Sequence, residues 1–392
     1  MSKQTVLVIG ASYGGLSITH YLLKHGGPGL KDYQVILVGA APQTMCRPAC
    51  PRAMIADEYF DQKKLFVDIP AQLKQYPKDK VTFIHGTALQ VDHEKRIATI
   101  ERHDNNAEET IDFHTLVVAT GATTSSPLLS NGSDRTEAWK TLRAALPSAK
   151  TIVIGGGGPT GVEIAGELGE HLNGKNGGSK PKVSINLITS GDRILPVLRP
   201  ALASTAEQYL SKVGVKVTKG VRITSTLPSN SGTHLSALTT QTTVTLSSGS
   251  SITADIYIPA TGTHPNTTFL SPTLLGPDAR VTTNPTTLRV DAAGPRIYAI
   301  GDCASAARPA VHNILAAIPV LAANIIKDLS GATTADKLFK EDTRETQLVP
   351  IGRSKGVGAA MGWKLPSSMV WAIKGRDYWV WTTGKLWSGA QF

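Results

Sequence analysis

The chain is poor in cysteine, in charged residues and in long apolar runs. Its 392 residues include three cysteines, too few for a disulfide framework, so we expect a reducing compartment. No run of about 18 apolar residues occurs, and the sequence therefore predicts no membrane-spanning helix. Charged residues make up 18% of the chain, and the excess of 40 Lys and Arg over 30 Asp and Glu gives a net charge of +10. That excess favours anionic partners such as dinucleotide phosphates.

The N-terminal sequence leaves no room for a targeting segment, because a strand is predicted from about Thr5. Position 2 is Ser2, whereas N-myristoylation requires glycine there, so that anchor is not expected. The resulting prediction is a cytoplasmic protein that is not secreted. Basic and aromatic residues do not cluster before the C-terminal segment, so nucleic acid is not an expected partner. No metal site is predicted.

Two strand–turn–helix units follow one another along the chain. Each has an apolar run, a glycine-rich turn and a predicted helix, over 16–24 in the first unit and over 162–172 in the second. The first glycine of such a turn permits the tight bend, the second lets the backbone approach a pyrophosphate, and the third lets the helix pack on the strand. The helix N-terminus adds amide donors for the phosphates. The predicted binding residues are Gly10, Ser12, Gly14 and Gly15 in the first turn, and Gly156, Gly158 and Gly161 in the second.

The first turn departs from the usual pattern in two places. Ser12 stands at the middle glycine position, where its small side chain still fits beside a phosphate. The strand ending at Val38 is followed by Gly39, whereas an acid commonly binds the adenosine ribose from this position. Ribose recognition at the first site is therefore expected to come from elsewhere or to be weaker.

An Ala-Thr-Gly segment closes each of the two units, which indicates an internal duplication of the architecture. A later strand ends in Gly-Asp. In flavoproteins with two dinucleotide sites, such a pair brings a carboxylate to the ribityl chain of FAD, and Asp302 is predicted to have this role. The cofactor-binding residues predicted from these segments are Ala119, Thr120, Gly121, Gly262, Gly301 and Asp302.

Five motifs together carry a family resemblance. They are GASYGG at 10–15, PRA at 51–53, GGGPTGVEIAGEL at 156–168, YAIGDCA at 298–304 and GVG at 356–358. The chain resembles the AIF-like mitochondrion-associated inducer of death group, which includes ferroptosis suppressor protein, and more distantly the type II NADH dehydrogenases. The resemblance implies tightly held FAD, NADH or NADPH as reductant, and quinones as acceptors. It also implies that Glu163 lies in the nicotinamide site near the flavin and that Arg52 binds cofactor.

The order of the units predicts an α/β protein with two Rossmann-like dinucleotide-binding domains, as in glutathione reductase-like proteins. We predict a discontinuous FAD-binding domain over 1–128 and 270–335. An NAD(P)H-binding domain over 129–269 is inserted into it. The remaining residues, 336–392, are predicted to form a small α+β segment that closes over the flavin.

The choice between NADH and NADPH stays open at this stage. An NAD-selective site would place an acid directly after the strand that ends at Ile188, but Thr189 stands there. The missing acid together with Arg193 leaves room for a 2′-phosphate. A solvent-exposed loop arginine is the alternative for Arg193.

Three further residues are candidates for the chemistry. Cys46 and Cys50 lie just after the second strand, the region from which flavin disulfide reductases take their thiols, although the C-x-x-x-C spacing is unusual. They are either redox-active thiols or ordinary buried ones. His312, at the start of a predicted helix, is either a donor to the flavin pyrimidine edge or a structural histidine.

The C-terminal segment concentrates tryptophan and positive charge. Such a mixture favours contact with a membrane interface, and it also suits a homodimer interface or a simple core. Residues 378–381 are predicted to be a strand and residues 367–373 a helical turn or two. The residues concerned are Trp363, Trp371, Trp379, Trp381 and Trp387, with Lys364, Lys374, Arg376 and Lys385 between them.

These observations favour an NAD(P)H:quinone oxidoreductase in which flavin passes electrons to a quinone or another flat acceptor. Three alternatives remain. One is a thiol-assisted reductase of disulfides or peroxides that uses Cys46 and Cys50. Another is a flavoprotein whose nicotinamide-dependent state controls partner binding. The last is a biosynthetic flavoenzyme dedicated to one quinone-like intermediate.

Overall fold

A seven-stranded sheet forms one half of the protein. The computed structural model describes residues 3–26, 33–130 and 134–392, so Ser2 lies outside the described residues. The first five strands of the sheet are parallel, and the last two add an antiparallel hairpin. In spatial order they are Ile297–Ala299, Thr115–Val118, Gln4–Ile9, Tyr33–Gly39, Val81–Asp92, Ile97–Arg102 and Glu108–Asp112.

A second, four-stranded parallel sheet is built from the middle of the chain. Its strands in spatial order are Val215–Thr218, Ser184–Ile188, Thr151–Gly155 and Ile256–Pro259. An antiparallel sheet of Ile223–Leu227, Thr242–Leu246 and Ser251–Ala254 lies beside it. The two crossings between the halves pair with each other, because Ala122–Thr123 and His264–Pro265 form an antiparallel ladder. The two parallel sheets confirm the predicted pair of Rossmann-like units.

Helices cover the sheets, and the first helix of each half begins at a glycine turn. The long helix Val311–Ser330 is apolar enough, by length and composition, to cross a membrane. Its residues Ile318, Leu321 and Ile325 are buried in the core shared with helix Tyr13–His25, which accounts for that composition. The remaining helices before the C-terminal segment are Cys50–Ala53, Gln62–Leu65, Ile69–Leu73, Asp134–Ala145, Pro159–Asn173 and Pro200–Lys212.

The C-terminal segment is a three-stranded antiparallel sheet followed by short helices. Its strands are Gln347–Ile351, Lys355–Ala360 and Trp363–Lys364, and its helices are Ser367–Val370, the π-helix Trp371–Gly375 and Val380–Trp387. The strand predicted over 378–381 is wrong. Tyr378 and Trp379 adopt left-handed backbone angles, with φ of 52° and 68°, and the chain then enters the last helix.

The tryptophans of this segment divide between core and surface. Trp387 is fully buried and its ring lies 4.8 Å from that of Tyr13. Trp363, Trp371 and Trp381 are exposed, by 77%, 40% and 59%. The core alternative therefore holds for Trp387, whereas the exposed tryptophans are available for an interface.

His20 joins the C-terminus to the first helix and is expected to make stability depend on pH. It is fully buried, contacting the Tyr76 hydroxyl and the Trp387 carbonyl at 2.8 Å each. Burial lowers the pKa of His20 from 6.5 to about 4. Between those values the unfolded chain binds a proton that the folded chain does not. The contribution of His20 to the free energy of unfolding is therefore fully present above about pH 6.5. It falls with decreasing pH, by about 3 kcal/mol in total at pH 4.

Thermal unfolding between pH 7.5 and pH 4.5 checks this prediction. A His20→Gln variant keeps a polar side chain without the titration, so its midpoint should fall less steeply with acid than that of the unsubstituted protein. Parallel curves for the two proteins would contradict the role given to His20.

Candidate functional site

The first glycine turn is shaped by two close backbone approaches. Gly10 has a φ of +109°, and a Cβ there would lie 2.2 Å from the Ala119 carbonyl oxygen. A Cβ on Gly15 would lie 1.6 Å from the Gly10 oxygen. Ser12 is the N-cap residue of helix Tyr13–His25, yet its side chain makes no capping hydrogen bond. Its hydroxyl instead accepts a hydrogen bond from Thr44 at 3.3 Å. The first-turn amides thus face a cradle suited to phosphate.

The second glycine turn repeats this geometry. Gly156 has a φ of +124°, and a Cβ there would lie 2.4 Å from the Ala260 oxygen. A Cβ on Gly161 would lie 2.0 Å from the Gly156 oxygen, whereas Gly158 has no atom within 4 Å of that position. Gly158 is the N-cap residue of helix Pro159–Asn173, again without a side-chain cap. The open side at Gly158 gives a pyrophosphate access to the backbone.

The two Ala-Thr-Gly segments also match each other. Gly121 and Gly262 have φ of 67° and 68°, and neither has a neighbour within 4 Å of a Cβ position. Thr120 is fixed by Asn266, to whose carbonyl it donates at 2.6 Å and from whose amide side chain its own carbonyl accepts at 3.0 Å. Among the described residues, no side-chain hydrogen bond of this kind holds Thr261, the corresponding residue of the second segment.

Asp302 presents an unpaired carboxylate at the end of the strand Ile297–Ala299. It follows Gly301, whose φ is +85°. Among the residues that the structure describes, none donates a hydrogen bond to the Asp302 side chain. Burial raises its pKa, and the positive charges of Arg47 and Arg280 oppose that shift. A half-buried acceptor beside a phosphate cradle has the chemistry to bind the hydroxyl groups of FAD, so these residues fit the cofactor.

Glu163 forms a buried ion pair that the sequence did not indicate. Its carboxylate accepts a hydrogen bond from Lys374 Nζ at 2.6 Å, and the two side chains are only 5% and 8% exposed. Burial raises the pKa of Glu163 to about 7, against the lowering effect of Lys374. Lys374 was noted in the sequence only as one cation among the tryptophans. Its partner lies 211 residues away, and no local pattern connects the two.

The prediction that Arg52 binds cofactor is wrong. Its guanidinium is 3% exposed, and all of its N–H groups are used within the protein. Two of them bind Glu167, at 2.9 and 2.8 Å. The others donate to the carbonyls of Gly352, Gly375 and Arg376. Arg52 therefore ties helix Pro159–Asn173 to the C-terminal segment, a structural role that also buries Glu167.

The hypothesis of redox-active Cys46 and Cys50 does not agree with the structure. Both thiols are free and buried. Burial raises the pKa of Cys46 to about 11 and also raises that of Cys50. Cys46 accepts a hydrogen bond from the Tyr13 hydroxyl at 3.5 Å and donates to the Tyr378 carbonyl at 3.3 Å. Because the thiolate is the reactive form, burial and the raised pKa values favour ordinary buried thiols over redox-active ones, and Cys303 is fully buried as well.

Two predicted residues lie at the surface of the site. His312 is the second residue of helix Val311–Ser330, and it is exposed. The partial loss of solvent around the ring and the charge of Arg308 lower its pKa, so the ring is neutral near pH 7. Arg193 lies in the loop after the strand Ser184–Ile188 and donates to the Pro196 carbonyl at 3.0 Å. The roles of both in cofactor binding stay predictions.

The two parallel sheets each carry a glycine turn suited to phosphate, and Asp302 follows a strand of the same sheet as the first turn. This arrangement defines a flavoprotein with two dinucleotide sites. The chain belongs to the pyridine nucleotide-disulphide oxidoreductase family, whose model matches residues 4–323. It is an oxidoreductase that uses FAD and NAD(P)H.

Relatives cover nearly the whole chain. An oxidoreductase from Penicillium herquei, phnG, is 54% identical over 99% of this chain and 97% of its own length. The fold is shared with NDH2 from Plasmodium falciparum, with a TM-score of 0.69 at 15% identity over 97% of both chains. It is also shared with the Bacillus anthracis CoADR-RHD, with a TM-score of 0.66 at 16% identity. This chain spans 61% of that longer protein.

Proposed function

We propose that the protein passes electrons from NAD(P)H through FAD to a quinone or a similar flat acceptor. The observation that supports a direct acceptor is the burial of Cys46 and Cys50. A thiol relay needs a thiolate at working pH, and both of these pKa values are raised. The third cysteine, Cys303, is buried with a raised pKa as well. A flat acceptor that takes electrons from the flavin itself needs no such relay.

The chain's own residues supply binding and orientation. Bound FAD supplies the hydride chemistry between the nicotinamide and the acceptor. The amides at the start of helices Tyr13–His25 and Pro159–Asn173 would bind the two pyrophosphates. Asp302 would accept hydrogen bonds from FAD hydroxyls, and Glu163 lies two residues beyond the second glycine turn.

Anaerobic spectroscopy on the FAD-loaded protein tests the proposal. NAD(P)H should bleach the flavin, and quinones should restore its colour, whereas disulfides and peroxides should not. A panel of simple and polycyclic quinones distinguishes a general quinone reductase from an enzyme dedicated to one intermediate. A Cys46→Ser/Cys50→Ser double variant should keep quinone reduction. Flavin that NAD(P)H does not bleach, or that only a disulfide reoxidises, would overturn the proposal.

The loop after Ile188 favours NADPH over NADH. It has no acid at Thr189, and Arg193 is the cation available for a 2′-phosphate. Replacing Arg193 by alanine should raise the KM for NADPH about tenfold, the effect of one lost charge-assisted hydrogen bond, and leave that for NADH within about twofold. Steady-state kinetics with both cofactors measure this, with Lys212→Ala on a neighbouring helix as the control. Equal changes for the two cofactors would make Arg193 an ordinary loop residue.

We further propose that the exposed part of the C-terminal segment contacts an anionic membrane surface. We call this part the tryptophan surface. From residue 346 onward the side chains include six cations and one acid, Asp377. Five of these cations are exposed and Lys374 is buried, so the exposed part of these residues complements negative charge. Its exposed members are Met361, Trp363, Met369, Trp371 and Trp381 with Lys364, Arg376 and Lys385.

Vesicle sedimentation checks this second proposal. The protein should bind vesicles with anionic lipid and not zwitterionic ones. Replacing Lys364 by serine should weaken binding about fivefold, because each such cation contributes about 1 kcal/mol near an anionic surface. A Trp363→Ser/Trp381→Ser variant should lose binding, whereas Leu227→Ser, at an exposed apolar residue elsewhere, should not. Self-association without vesicle binding would favour a dimer interface instead.

A further inference from the structure

The C-terminal segment inserts between the two nucleotide-binding helices. On one side, Tyr13, the first residue of helix Tyr13–His25, donates to Cys46, and Cys46 donates to the Tyr378 carbonyl. On the other side, the Tyr378 hydroxyl donates to Glu167 of helix Pro159–Asn173 at 2.9 Å. The Tyr378 amide also donates to the Lys374 carbonyl at 2.6 Å. The Lys374–Glu163 pair therefore lies where the C-terminal segment bridges the two helices that begin at the glycine turns.

Of the charged groups that face Glu163, Lys374 is the one that pairs with its carboxylate. Glu167 adds negative charge, Arg52 adds positive charge, and Tyr378 is a neutral phenol whose pKa burial raises well above the usual value. Arg52 and the Tyr378 hydroxyl already bind Glu167. Among the described residues, only Lys374 donates a hydrogen bond to the Glu163 carboxylate.

Lys374 is itself held in a fixed position. Besides Glu163, it donates to the Leu348 carbonyl at 3.0 Å. Its ammonium lies 5.0 Å from the ring centre of Trp379 and 5.5 Å from that of Tyr378. These contacts all come from the C-terminal segment. The segment therefore delivers a fixed positive charge to a carboxylate that belongs to the second nucleotide-binding helix.

We propose that Lys374 is a positioning residue for reduction of the flavin by NAD(P)H, which favours the ionised form of Glu163 and orients it at the junction of the two cofactor sites. The proposal rests on the proposed NAD(P)H-to-flavin reaction. A buried carboxylate without a cation would take up a proton at neutral pH. Lys374 lowers the pKa of Glu163 against the raising effect of burial, which leaves it at about 7. The nicotinamide site is then complete only when the C-terminal segment is docked.

The pH profile of flavin reduction in the holoenzyme tests the proposal. In the unsubstituted protein the anaerobic reduction rate should rise with pH through about 7, as Glu163 ionises. Lys374→Met should move this rise to higher pH by ~1 unit or more and lower the rate at pH 7 about fivefold or more. Glu163→Gln should remove the rise. Lys374→Arg should restore a profile close to the original. Lys385→Met, which removes an exposed cation of the same segment, is the matched control.

Infrared titration gives a readout that does not depend on turnover. The carbonyl band of a protonated carboxylic acid should disappear as the pH of the oxidised holoenzyme is raised through about 7. The Glu163→Gln variant should lack this change. If Lys374→Met does not fold, the double variant Glu163→Gln/Lys374→Met removes both buried charges and should fold. Its flavin reduction should be as independent of pH as that of Glu163→Gln.

Two outcomes would overturn the role of Lys374. One is a Lys374→Met profile that coincides with that of the unsubstituted holoenzyme. The other is an infrared band that titrates identically in the Glu163→Gln variant. Failure of NAD(P)H to bleach the unsubstituted flavoprotein is a different result, because it would remove the proposed function before Lys374 is tested.

Discussion

Replacing Arg52 by methionine is expected to cost about 3–5 kcal/mol of stability, because the buried carboxylate of Glu167 loses its partner. The Arg52–Glu167 pair is buried on both sides, at 4% and 2% side-chain exposure. The same change removes the donors to three carbonyls of the C-terminal segment, so that segment should become sensitive to proteolysis before the rest of the chain. Thermal unfolding and limited proteolysis with mapping of the cleavage sites measure the two effects.

The same helix offers a matched control for this prediction. Arg353 pairs with Glu170, but its side chain is 57% exposed and its Nε lies 3.6 Å from the carboxylate. Exposed pairs of this kind contribute about 0–1 kcal/mol, so Arg353→Met should be mild. An Arg52→Met/Glu167→Leu double variant should recover much of the loss. Equal losses of stability in Arg52→Met and Arg353→Met would show that burial of an ion pair does not determine how much its loss destabilises this protein.

Gly161→Ala is expected to abolish NAD(P)H-dependent flavin reduction and to destabilise the protein by about 2–3 kcal/mol. The new Cβ would lie 2.0 Å from the Gly156 carbonyl oxygen, which is backbone and cannot rotate away. The helix must therefore move off the strand, and the amides that bind the pyrophosphate move with it. Nucleotide binding by calorimetry and thermal unfolding give the two readouts.

Gly158→Ala separates the two effects. Gly158 has a φ of −73°, and nothing lies within 4 Å of the added Cβ. Stability should change by less than about 0.5 kcal/mol. NAD(P)H binding should still weaken, because this methyl group lies where the backbone approaches the pyrophosphate. Loss of stability in Gly158→Ala, or normal nucleotide binding in Gly161→Ala, would contradict this account of the turn.

The sequence predicted those parts of the site whose chemistry is local. Gly10, Gly156 and Asp302 are recognisable because a turn, a helix start or a strand end fixes each of them within a few residues. The duplication of the turn and of Ala-Thr-Gly gave the fold class in the same way. The structure then shows the two turns to be alike down to the carbonyl that each glycine approaches.

The sequence did not predict the contacts that join distant segments. Arg52 and Glu167 are 115 residues apart, and Lys374 and Glu163 are 211 apart, so no spacing rule could pair them. The family motif suggested a cofactor role for Arg52, but burial assigns its guanidinium to the protein. The aromatic alternation of 378–381 predicted a strand. That prediction failed because the left-handed backbone at Tyr378 and Trp379 has no signature in residue type.

Helix Pro159–Asn173 limits how the enzyme can be engineered. Its outer side meets the C-terminal segment so closely that a Cβ on Gly166 would lie 2.8 Å from Ile351. Across that contact Glu163 finds its cation, Lys374, and Glu170 accepts from a backbone amide of the segment. Glu167 accepts a hydrogen bond there from the Tyr378 hydroxyl. A chimera that takes its nicotinamide domain from one relative and its C-terminal segment from another would bury unmatched carboxylates. The two must be exchanged as one module, although the residues that hydrogen-bond across the contact are 183 to 211 positions apart in the chain.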